Sequence, residues 1–211
     1  MDRRTFLMGA AMVSASTIGL NCRLSAATLQ SERWALKLVE AAKSQIGVTV
    51  IYDPAYVGLK FPNGDVPRDR GVCSDVVIRA YRDAFGFDLQ EAVHKDMKAN
   101  FSSYPTRWGL KRPDRNIDHR RVLNLAKFFE RRGARLQVSD RGEDFLTGDI
   151  IEQVLPGNLP HMAIVSDQAA PGSNHPMVIH NIGGGTRLED RLFTFELTGH
   201  FRFPPPGVEG A

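Results

Sequence analysis

Cysteine is scarce in this chain: Cys22 and Cys73 are the only two among 211 residues. A scaffold stapled by several disulfides is therefore excluded. Long apolar runs are missing as well. The charge-free stretch Thr5 to Cys22 is 18 residues at most, is rich in Gly, Ser, Thr and Ala, and sits at the bottom of the bilayer-spanning range. No HExxH or similar close histidine pair occurs, so a zinc hydrolase would have to draw on the dispersed His161, His180 and His200. Nor does charge of one sign dominate, with 27 Lys and Arg against 24 Asp and Glu.

The first residues carry a twin arginine, Arg3 and Arg4, then the charge-free stretch, then small residues at Ser25, Ala26 and Ala27. This is the layout of an export signal, and the RRxFL pattern resembles a twin-arginine signal, which is read by a receptor and is not an anchor. Cleavage after Ala27 satisfies the small-x-small rule, and Gly19 and Asn21 are poor neighbours for a lipid anchor on Cys22. The expected division is an export signal over 1–27 and one domain over 28–211. Such a protein is exported to the periplasm by the twin-arginine machinery and keeps no membrane anchor. The signal takes Arg3, Arg4, Arg23 and Asp2 with it, leaving 24 basic against 23 acidic residues. The pI of about 9.0 is thus largely the signal's, and nothing in the balance argues for a nucleic-acid partner. The remaining 184 residues suffice for one domain with a sizeable core.

Cys73 is then alone in an oxidising compartment, without an internal disulfide partner. Positions 73, 76, 77, 80, 84 and 85 hold Cys, Val, Val, Ala, Ala and Phe, a stripe predicting one buried face of a helix that Gly86 stops. The thiol falls in the first turn, where unpaired N–H groups and the helix dipole favour a thiolate and can face an oxyanion. Asp75 lies two residues on and is expected to point away and cap the helix. Two roles fit the cysteine at this level, a small buried hydrophobe or a nucleophile.

After about residue 145 the helical period gives way to short β-branched runs punctuated by Gly and Pro. GDIIEQVL (148–155), HMAIVSD (161–167), MVIHNIG (177–183) and the closing RLFTFELTGHFRF read as a meander of strands. His161 shares a strand face with Ala163 and Val165, and His180 with Val178 and Ile182. If the two strands pair as a hairpin, both imidazoles lie on one face, a base with an orienting partner.

Other polar residues read as structural. Asp88 and Glu91 form a capping box that leaves His94 mid-helix and solvated. Asp118 caps a helix over HRRVLNLAKFFERR, with His119 on the surface of its first turn. His175 lies in a loop, and His200 in the last strand either approaches the site or packs. The irregular YPTRWGLKRPDRN stretch (104–116) suits one wall of a substrate groove. The glycines at 183–185 follow a strand without a clear helix after them, a tight turn and not a phosphate cradle.

The order of an amphipathic helix, AAKSQIGVTVIY, a Pro- and Gly-rich loop, a cysteine opening a helix, then TGDII, PHMAIVSD and VIHNIGGG resembles the NlpC-type cysteine peptidases. These papain-like enzymes cut cell-wall peptides. The resemblance implies an α+β fold with N-terminal helices packed on a small antiparallel sheet or half-barrel. It implies Cys73 as nucleophile, His161 as general base and His180 as the residue orienting it. Backbone N–H groups at Cys73 and Ser74 would hold the oxyanion. Tyr52, ending a stretch similar to the peptidases' G-x-P-Y, either adds a hydroxyl to that hole or packs. Thr147 to Asp149 resembles the turn that starts the first barrel strand. Two departures are Val72 where an acid is usual, with the acid at Asp75, and the separation of the two histidines, 19 residues apart.

More closely, GVCSDVVIRAYR, the 104–133 stretch and HNIGGGT are similar to an exported bacterial family, the YijF-like group, along nearly the whole mature chain. The implied activity is hydrolysis of an amide or peptide bond, with peptidoglycan stem peptides or another peptide as substrate and no metal or cofactor. A non-catalytic wall-binding domain and an acyltransferase or thioesterase on the same fold are the alternatives.

Overall fold

A computed structural model of the chain describes residues 33–208. The export signal expected over 1–27 lies outside them. A helix over 33–43 (α1) is followed by the two-residue strands Ile51–Tyr52 (β1) and Arg70–Gly71 (β2), which pair in parallel. Three helices come next, Cys73–Phe85 (α2), Leu89–Asn100 (α3) and Val122–Arg131 (α4). The rest is β: Arg135–Leu136 (β3), Ile150–Leu155 (β4), Leu159–Ala169 (β5), Pro176–His180 (β6), Arg187–Glu189 (β7) and Glu196–Phe201 (β8). These form one antiparallel sheet in the order β3-β8-β4-β5-β6-β7. The class is α+β with helices leading, as the sequence predicts. Among the described residues no helix is long and apolar enough to cross a membrane.

Alternation divides the strands between two apolar clusters. Ile150, Met162, Ile164, Ile179 and Phe201 pack with α1, α2 and α4, against Leu38, Val77, Tyr81 and Phe129. Ile151, Ala163, Val165 and Val178 pack on the opposite face with Phe145 and Leu192. Each side chain sealed in these layers contributes about 1.5–3 kcal/mol by leaving water. Because the central strands are covered on both faces, MAIV (162–165) reads as an unbroken apolar run.

α2 ends as its glycine dictates: Gly86 takes φ 65° and its N–H returns to Arg82 O, while Phe87 N–H returns to Tyr81 O. Its burial exceeds the single face that the stripe predicts, since every residue from Cys73 to Tyr81 is buried. Arg79 is the reason. Fully buried, it donates to Asp65, Thr49 Oγ1 and the carbonyls of Val66, Pro67 and Arg70, tying the 49–71 loop down over the helix.

Several local expectations are corrected. Asp88 caps α3 through Gln90 N–H, whereas Glu91 pairs with Lys95 and completes no box. Asp118 does not cap α4. It opens a separate 3₁₀ turn, Asp118–Arg120, takes the Asp114 N–H and binds Arg121, whose position before Val122 starts the helix. His119 is consequently not a surface residue but 2% exposed, and burial lowers its pKa to about 3. His94 is half-buried, edge-on to Phe61. The closing run is not one strand, because 191–195 turn before β8, and β7 was not anticipated. The glycine turn is as expected: Gly185, at φ 83°, lies where a Cβ would strike Thr49 O at 2.6 Å.

Candidate active site around Cys73 and the histidine pair

Cys73 is the first residue of α2, and four contacts fix that helix end. Asp75 reaches back to Val72 N–H at 2.7 Å and pairs with Arg120 through two 2.9 Å bonds, both side chains being buried. Ser74 Oγ donates to Arg120 O at 2.6 Å. Arg120 spends its remaining donors on the carbonyls of Asp53 and Ala55. Asn181, next after His180, donates to Gly71 O at 3.1 Å, fastening the end of β6 to the residues before the cysteine. No local pattern marks Arg120 or Asn181, since each acts through a partner more than 40 residues away.

The histidines meet as the hairpin expectation requires. β5 and β6 pair with Ile164 opposite Ile179, a register that sets His180 opposite Ala163, two residues from His161. From that diagonal position His180 Nδ1 lies 2.8 Å from His161 Nε2. A third member was missed: Glu189 on β7, opposite Val178 and again diagonal to His180, places Oε2 at 2.9 Å from His180 Nε2. The signal was present as an acid in a short alternating run, R-L-E, but a three-residue strand is too brief to stand out.

This row fixes the proton positions. An ionised carboxylate only accepts, so His180 carries its proton on Nε2 and offers the Nδ1 lone pair. His161 must then donate through Nε2, which leaves its own Nδ1 as the basic nitrogen. Burial, reinforced by His180, holds the His161 pKa down at about 3. His180 is lowered too, by burial, with Glu189 opposing. Both imidazoles are neutral at ordinary pH.

The sulfur differs from expectation. Burial raises the Cys73 thiol to about 11, outweighing the N–H groups of Met162, Ser74 and Cys73 itself that face the sulfur, while Asp75 adds to the rise. The helix terminus alone therefore does not yield a thiolate. Cys73 belongs to the helix-side cluster and His161 to the other face of the sheet. The backbone N–H of Met162, the residue after His161, is among the groups that act on the sulfur. No hydrogen bond joins Cys73 to His161 among those of the described residues.

Cys73 is 4% exposed, and its open side lines a cavity of about 280 Å³ with Tyr52, Trp108, Arg120 and Pro160. Tyr52 stays protonated, its pKa pushed up to about 12 by burial and by its proximity to Cys73 and Asp75. Arg107 and Trp108 bring the 104–116 stretch to the same cavity, the wall it was expected to form. Two histidines stand elsewhere. His200 binds Asp149 at 2.7 Å and stacks on Phe145, and His175 binds Asp190 at 2.7 Å. His200 thus packs and does not join His161 and His180. Among the described residues no three His, Cys, Asp or Glu side chains are grouped to hold a metal ion.

Fold and cluster together define an α+β protein with a cysteine opening a helix and a Glu-His-His row across the adjoining strands. The chain belongs to the family described as "Domain of unknown function (DUF1287)", which it matches over residues 39–203. It is 51% identical over 168 residues to "Uncharacterized protein YijF" of Escherichia coli (strain K12), across 80% of this chain and 81% of that protein. The YijF-like kinship expected from the sequence is borne out.

Proposed function

We propose that the protein is an exported cysteine hydrolase of papain-like, NlpC-type fold that cleaves an amide or peptide bond, with peptidoglycan stem peptides as the substrate of first choice. The observation that supports this reading is the Glu189-His180-His161 row, which leaves a buried imidazole with its Nδ1 lone pair unused, one residue before Met162, whose backbone N–H acts on the Cys73 sulfur. A packing histidine needs no second histidine and carboxylate to set its tautomer.

In this mechanism the resting pair is a neutral thiol and a neutral imidazole. His161 Nδ1 takes the Cys73 proton as the sulfur attacks the carbonyl carbon, and the charge that develops on the ring is spread toward His180 and Glu189. The oxyanion is received by N–H groups at Cys73 and Ser74, and Tyr52, a protonated hydroxyl on the same cavity, supplies a further donor. The C–N bond breaks, the amine departs with the proton from His161, and a thioester remains on Cys73. Water, deprotonated by His161, then attacks the thioester, releasing the carboxylate and restoring the thiol. Export through the twin-arginine pathway brings the enzyme to its substrate in the periplasm.

One observation favours a second reading, a wall-binding domain without chemistry: the sulfur is 4% exposed and its thiol is raised to about 11. Digestion of purified sacculi by the chain from residue 28 onward separates the two. The hydrolase releases new amino or carboxyl groups with wild type and none with Cys73→Ala. Binding without release by both proteins supports the second reading. Transfer of the acyl group to an added amine in preference to water identifies an acyltransferase.

A further inference from the structure

The segment that brings Arg107 to the cavity beside Cys73 is strongly one-signed along the chain. Between residues 107 and 116 the chain carries Arg107, Lys111, Arg112 and Arg115 against a single acid, Asp114. None of these four cations enters an ion pair among the described residues, whereas Arg120 and Arg121 beside them are neutralised by Asp75 and Asp118. Arg107 itself lines the cavity and is exposed. Around it the lining is apolar or aromatic, with Trp108, Ile117, Val122 and Leu123. A second hollow of about 500 Å³ continues along the same segment, bordered by Arg112 and Arg115 with Asp114 between them. An exposed arginine kept free of partners over an apolar floor is a binding group awaiting an anion, and its planar fork suits a carboxylate.

We infer that the cavity selects an anionic acyl donor, a peptide bearing a free carboxylate near the scissile carbonyl, with Arg107 as the specificity-determining residue. Lys111, Arg112 and Arg115 extend the attraction along the chain of the substrate. The inference rests on the hydrolase reading for the word donor, but the anion site itself does not.

Binding to the Cys73→Ala protein, followed by calorimetry, tests it without chemistry. The probes are N-acetyl-Ala-Glu-Ala-amide and N-acetyl-Ala-Gln-Ala-amide, identical except for the carboxylate. The acidic peptide is expected to bind at least about tenfold tighter at low salt, and the preference to narrow as salt rises from about 50 to about 500 mM. Adding Arg107→Gln removes the preference, and Arg107→Lys retains part of it. Equal affinities, absence of binding by both peptides, or a preference surviving Arg107→Gln would each overturn the inference. Inorganic phosphate displacing the acidic peptide at lower concentration than propionate would overturn the carboxylate assignment. Should wild type fail to digest sacculi while the preference holds, hydrolysis is lost and the anion site stands.

Discussion

His161 Nε2 and His180 Nδ1 lie 2.8 Å apart, and His180 Nε2 lies 2.9 Å from Glu189 Oε2. Two strand histidines are thereby turned into one directional chain, with the proton of each ring assigned by the carboxylate at its end. Nitrogen-correlated NMR of the histidine rings is expected to show His161 as the neutral Nε2–H tautomer at pH 7. Glu189→Gln is expected to lower kcat/KM by about 10- to 100-fold with KM little changed, the usual cost of removing an orienting carboxylate. An unchanged kcat would remove Glu189 from the site.

Stability follows the same histidines. Folding lowers the pKa of His161 and of His119 from 6.5 to about 3, and lowers His180. The unfolded chain therefore binds more protons than the folded one between those values, so stability is held above pH 6.5 and lost as pH falls through the window. Urea midpoints are expected to drop between pH 7.5 and 5.5, above the carboxylate range, and His119→Leu to flatten part of that slope.

The thiol at about 11 makes a distinct prediction for chemical labelling. Iodoacetamide is expected to modify Cys73 at a rate that climbs with pH through 9 and 10, with no plateau on the acid side. A plateau below pH 6 would mean a preformed thiolate and imidazolium, contradicting the neutral resting pair.

Asp75 and Arg120 hold the cysteine's helix end to the 53–55 loop from within the protein. Arg120→Ala leaves a buried carboxylate uncompensated and is expected to cost about 3–5 kcal/mol in urea unfolding. Asp75→Asn combined with Arg120→Met is expected to recover much of that loss, because no charge is then stranded. Additive losses in this cycle would show the two side chains to be uncoupled.

The parts of this arrangement legible in the sequence were those with a short period. The α2 stripe, Gly86, the β5 and β6 alternation and the TGD turn announce themselves within a few residues, and they sufficed to place Cys73 at a helix start and to set His161 with His180. What escaped depends on distant pairing. Arg79 interrupts a helix face yet is buried because loop carbonyls converge on it. Arg120 meets Asp75 across 45 residues, and Glu189 gains its role only when β7 joins the sheet edge. The thiol's acidity was misjudged for a related reason. The helix terminus is local and visible, but the burial that outweighs it is the work of the whole fold.

The central claim, that the sulfur at 73 and the Nδ1 at 161 act as one catalytic pair, is tested most directly by trapping the thioester. Wild-type protein mixed with soluble stem peptides, quenched in acid and weighed intact, is predicted to carry an acyl adduct that peptide mapping assigns to Cys73, and His161→Ala to carry none. Bond cleavage by Cys73→Ala at the wild-type rate, with no adduct on the wild-type chain, would contradict the account.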